Sequence, residues 1–94
     1  MDRDTVIHFL EDYITDLENS PVGIFSNGFA LYSYSKWAAK ELLKFIRERD
    51  DISAESAIVL FIKKMDEYSC MNSAASYIFS IAHDTALDVL DKLI

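Results

Sequence analysis

The stretch Ala57-Ile58-Val59-Leu60-Phe61-Ile62 is the longest strictly apolar run in the chain, and its reading decides the fold. Six consecutive apolar residues suit either a fully buried strand or one segment of a buried helix, and periodicity within so short a run does not separate the two. The flanks do. Lys63, Lys64 and Glu67 are good helix formers, and Ala54, Ile58, Phe61, Ile62, Met65 and Tyr68 carry an i, i+3, i+4 pattern past both ends of the run. Length therefore predicts a helix over about residues 54–70. Ser53 stands where an N-cap is needed, and Glu55 places negative charge in the first turn, where the helix dipole favours it. The same run is far too short to cross a bilayer, which takes about 20 apolar residues.

The helical period continues outward in both directions. Ala38, Ala39, Leu42, Phe45 and Ile46 share one face of a second helix reaching about Arg49, where Asp50-Asp51 breaks the pattern. Val6, Ile7, Leu10, Tyr13, Ile14 and Leu17 form the apolar stripe of a first helix over 4–18. Beyond helix three, Asn72 or Ser73 is the expected cap of a fourth. Its stripe of Ala75, Ile78, Phe79, Ala82, Ala86, Val89, Leu90 and Leu93 predicts a docked C-terminal end.

Both glycines and the only proline fall within Pro21–Gly28, the strongest break in the chain. Ser20-Pro21-Val22-Gly23 has the chemistry of a turn. Asn27-Gly28 is a hairpin signal, yet a two-stranded hairpin is marginal alone and no third strand is available. The expectation is an all-α bundle of about four helices forming one domain over residues 1–94. A hydrophobic loop over about 19–34 joins helices one and two, and helix two starts somewhere between Asn27 and Ser35.

Composition bounds the function. At 51% hydrophobic residues, 13% of all residues being aromatic, the chain can fill a core, which excludes disorder over most of its length. The 9 Lys and Arg stand against 16 Asp and Glu, for a net charge of −7. Direct nucleic-acid binding and attraction to anionic membranes both draw on basic residues and are disfavoured. One cysteine, Cys70, makes no internal disulfide. The charged start Met1-Asp2-Arg3-Asp4 does not read as a secretory signal, so the expected location is cytoplasmic.

Motifs that carry chemistry are missing. Two glycines make no phosphate-cradling loop, and one cysteine with two histidines is too few for a structural zinc site. No catalytic residue, cofactor or metal is expected. His8 is the exception to weigh: it lies opposite the apolar stripe of helix one, with Asp4 and Asp12 one turn away on either side. A metal-binding or minor enzymatic bundle centred on these three residues is the alternative reading, weakened by the lack of supporting ligands. His83 falls at the boundary of the helix-four stripe beside Phe79 and Leu87, and Cys70 reads as an ordinary thiol.

Charge is segregated along the chain. Asp2, Asp4, Glu11, Asp12, Asp16 and Glu18 face only Arg3 within residues 1–18, whereas Lys36, Lys40, Lys44, Arg47 and Arg49 outnumber Glu41, Glu48 and Asp50 within 33–50. The bland explanation is two neighbouring helices whose solvated edges attract. The functional one is a protein-binding surface on helix one, carried by Asp4, Glu11 and Asp12, docking a partner with a basic surface. Such a protein would act as an adaptor, or as an acidic nucleic-acid mimic that inhibits a basic groove. Phe25, Phe29 and Tyr32 are the second candidate contact. Val59, Leu60 and Trp37 lie off the core faces of their helices, which predicts either a centrally wrapped helix three or a homodimer.

Overall fold

The computed structural model describes residues 2–19, 29–71 and 75–94, with backbone only for 29–32. Four helices account for nearly all of these: α1 (Arg3–Glu18), α2 (Phe29–Glu48), α3 (Ala54–Ser69) and α4 (Ser76–Leu93). The architecture is an all-α four-helix bundle.

The apolar run of residues 57–62 is helical. Within α3, Ala57, Ile58, Phe61 and Met65 are buried while Val59 is 53% exposed. Burial thus recurs at helical period and not at every second residue. Ser53 caps this helix: its hydroxyl accepts from the Ser56 amide at 3.1 Å, with Glu55 in the first turn.

Helix α2 begins at Phe29, within the expected window of Asn27 to Ser35, so residues 29–34 are its first turns and the loop is shorter than the expected 19–34. Gly28 is the last helix breaker in that region, and Phe29-Ala30-Leu31-Tyr32 contains nothing that opposes helical geometry. A second hairpin strand after Asn27-Gly28 is thereby removed. The proposed turn at 20–23 and the rest of the loop lie outside the described residues. Helix α4 begins at Ser76 behind Ala75, which makes no side-chain cap, while Asn72 and Ser73 fall outside the described residues.

The six largest fully buried side chains are Val6, Leu10, Leu42, Ile46, Ile58 and Val89, drawn from all four helices into one core cluster. Burying each such side chain stabilises the fold by about 1.5–3 kcal/mol relative to leaving it in water. Helix α2 packs against each of the other three, and α3 packs mainly on α4. The centre of the bundle is therefore α2, whose Ala38 and Ala39 allow close approach. Exposed Val59 rules out the expected alternative of a fully wrapped helix three.

Ring contacts mark the seams: Phe45 and Phe61 between α2 and α3, Tyr68 and Phe79 between α3 and α4, and Tyr34 and Tyr77 between α2 and α4. At the C-terminal end Leu93 packs against the core, as expected, but Ile94 is exposed. Among the described residues no helix is long and apolar enough to cross a membrane.

Candidate functional site

Helix α1 has two flanks with opposite electrostatic fates. Its apolar stripe of Val6, Leu10 and Ile14 is buried, with Ile7, Phe9, Tyr13 and Leu17 packed partly against the same core. One flank meets α2, where Glu18 lies 3.5 Å from the Lys40 ammonium and Glu11 lies 3.9 Å from the Arg47 guanidinium. The order of these pairs, early in one helix with late in the other, shows that α1 and α2 run antiparallel. Arg3 reinforces the same seam. Its guanidinium donates to the carbonyls of Ile46 at 2.7 Å, Arg49 at 3.0 Å and Ile52, closing over the C-terminal end of α2. Those carbonyls would otherwise lack helical partners.

The other flank meets α4 and gains much less positive charge. The Tyr13 hydroxyl donates to Asp88 at 2.9 Å, and Lys92 places its ammonium 3.1 Å from the same carboxylate oxygen and 5.3 Å from the centre of the Tyr13 ring. Burial first, then the hydrogen bond to Asp88 and its negative charge, push the Tyr13 phenol up to about 12. Asp16 follows Tyr13 by one turn on this side, and Asp12 lies beside it. On α4, Asp84, Asp88 and Asp91 share the facing edge at helical spacing. Asp12, Asp16 and Asp91 are exposed and make no ion pair among the described residues.

Between the flanks lies a solvent-open cleft of ≈ 230 Å³, lined by Tyr13, Ser35, Ile81, Asp84, Thr85 and Asp88. Ile81 and Thr85 are buried there, although the stripe expected for α4 included neither. Among the described residues Asp84 has one polar side-chain neighbour, His83, whose Nδ1 stands 3.1 Å from one carboxylate oxygen.

The residues singled out from the sequence divide accordingly. Asp4 and Asp12 are exposed as expected, whereas Glu11 is partly neutralised by Arg47. Phe25 lies outside the described residues, and Phe29 and Tyr32 are placed in the first turns of α2 by backbone alone. His8 is 80% exposed and reaches Glu11 at 3.7 Å, not the expected flanking Asp4 and Asp12. Three and four residues are both one turn away, and side-chain direction chose the former. Among the described residues no group of three His, Cys, Asp or Glu side chains could hold a metal ion. His83 is half-buried at the stripe boundary, Cys70 is exposed at the end of α3, and Trp37 is 39% exposed.

Sequence reasoning missed Tyr13, Asp88, Thr85 and Arg3. Asp84, Asp88 and Lys92 at four-residue spacing were a visible signal of a charged α4 edge, but nothing local linked that edge to Tyr13. No family model, curated protein or solved structure matches the chain.

Proposed function

We propose that the protein is a non-enzymatic interaction module whose acidic α1/α4 face docks a protein with a basic surface. The observation that carries this reading is the asymmetry of α1: its α2 flank is neutralised by Lys40 and Arg47, while Asp12 and Asp16, on the side where Tyr13 reaches Asp88 of α4, are exposed and make no ion pair among the described residues. A surface of one sign raises the encounter rate with a partner of the other, and the effect falls with salt as the Debye length drops below about 10 Å above 0.1 M. Competition with nucleic acid for such a partner follows from the same charge.

Affinity capture from lysate with stepwise salt elution tests it, comparing the native protein with Asp12→Lys/Asp16→Lys. Basic proteins retained by the native chain and lost by the reversed one support the reading. The same basic proteins retained with the same salt profile by both overturn it.

A second, separate observation favours pairing of two copies through α3. Val59 is exposed at the middle of a shallow apolar groove with Glu55 one turn before it and Lys63 one turn after. Two antiparallel copies related by a two-fold axis at Val59 would set each Glu55 against the partner copy's Lys63, a self-complementary arrangement. Light scattering at high micromolar concentration should give twice the monomer mass, and Val59→Arg should halve it. A native monomer at that concentration overturns the pairing.

A further inference from the structure

We propose that the cleft between α1, α2 and α4 is a binding site for a primary alkylammonium group. The carboxylates of Asp84 and Asp88 would not suffice for this assignment, because a pair of acids on a helix edge is common. The additional observation is Thr85. It is only 6% exposed, lines the cleft, and makes no side-chain hydrogen bond among the described residues. Helical threonines ordinarily satisfy the hydroxyl on the carbonyl four residues back, as Thr15 does on Glu11 at 2.9 Å. Yet no fully enclosed side-chain oxygen or nitrogen among the described residues lacks a partner. The Thr85 hydroxyl therefore keeps its access to the cleft, a polar group with no side-chain hydrogen bond among the described residues on an otherwise buried side chain.

The geometry selects the ligand class. Asp84, Thr85 and Asp88 at i, i+1 and i+4 of one helix, with Ser35 of α2 also lining the cleft, offer oxygens from separate side chains. An ammonium carries three divergent N–H donors and suits such a set; a guanidinium fork suits two parallel oxygens of one carboxylate. Ile81 supplies an apolar wall for the methylenes behind the charge. The protein itself shows the chemistry at the rim, where the Lys92 ammonium rests on Asp88 and over the Tyr13 ring. Lys92 is thus a tethered competitor for the entering amine. Assigning that amine to a lysine of a docked partner rests on the acidic-face reading above; the site's chemistry does not.

The test is titration of n-butylammonium chloride into the native protein at constant ionic strength, followed by backbone amide NMR. Tetramethylammonium, which has the charge but no N–H donor, is the control. Expected are saturable shifts at Ser35, Ile81 and Thr85 with Kd on the order of 1 mM, absent with tetramethylammonium. Thr85→Val and Asp84→Asn should each weaken binding by about tenfold, and Lys92→Ala should tighten it several-fold. Non-saturating shifts, equal shifts with tetramethylammonium, or unchanged binding in folded Asp84→Asn would overturn the site. Capture of basic proteins is read in parallel. If Asp84→Asn loses both amine and partner, the ammonium is a partner lysine; if it loses the amine alone, the ligand is a free amine. Loss of capture in Asp12→Lys/Asp16→Lys with amine binding intact separates the face from the cleft, so each reading fails on its own result.

Discussion

The Tyr13 hydroxyl lies 2.9 Å from Asp88 Oδ2, a hydrogen bond between side chains 75 positions apart that ties the first helix to the last. Its acceptor is a half-buried carboxylate, which makes it stronger than a neutral surface contact. Tyr13→Phe keeps the ring under Lys92 and removes only the donor. The expected loss is about 1–2 kcal/mol in chemical denaturation. A variant as stable as the native protein would show that water serves Asp88 equally well.

The same pair predicts an alkaline instability. The folded protein holds the Tyr13 proton to about 12 against an ordinary value near 10. Because the folded value is the higher one, this stabilisation is complete below pH 10 and disappears as pH rises from 10 to 12. For a phenol still half in contact with solvent, about 1 kcal/mol is at stake after allowing for screening. Thermal melting across that window should fall faster for the native protein than for Tyr13→Phe. In spectrophotometric titration one of the 5 tyrosines should ionise late, and that late step should vanish in the variant.

Arg3 should be the costliest polar residue to replace. Its fork serves three carbonyls at the end of α2 and in the following turn, a geometry that the single ammonium of lysine does not reproduce. Arg3→Lys is expected to lower stability by about 1.5–3 kcal/mol despite conserved charge. Equal loss in Arg3→Lys and Arg3→Ala, measured by denaturant unfolding, would confirm that geometry matters more than charge; native stability in Arg3→Lys would refute it.

Adjacent residues in α3 should respond oppositely. Ile58 is fully buried and Val59 is exposed, so Ile58→Ala should cost about 2–5 kcal/mol and Val59→Ala less than about 0.5. Ser53→Ala should remove about 1 kcal/mol through loss of the cap. Comparable costs at 58 and 59 would contradict the orientation of this helix.

The sequence by itself determined what depends on the local backbone. The period of Ile58, Phe61 and Met65, the Ser53 cap and the clustered breakers at Pro21, Gly23 and Gly28 report near-neighbour hydrogen bonding and sterics, so the helix count and the helix starts could be read within a few residues. Helix two could be placed only to a window, Asn27 to Ser35, and it starts at Phe29, because nothing local marked where permissive residues would begin to coil. The tertiary structure alone decided which helix edges meet. Glu11 and Asp12 are neighbours in sequence with the same chemistry, but one turns toward Arg47 and the other toward open water. Thr85 reads as an ordinary helical residue until packing seals its surroundings and leaves its hydroxyl on a cleft. Such pairings arise from the summed burial of the core, which orients whole helices, and no spacing along the chain encodes that sum in a form readable residue by residue.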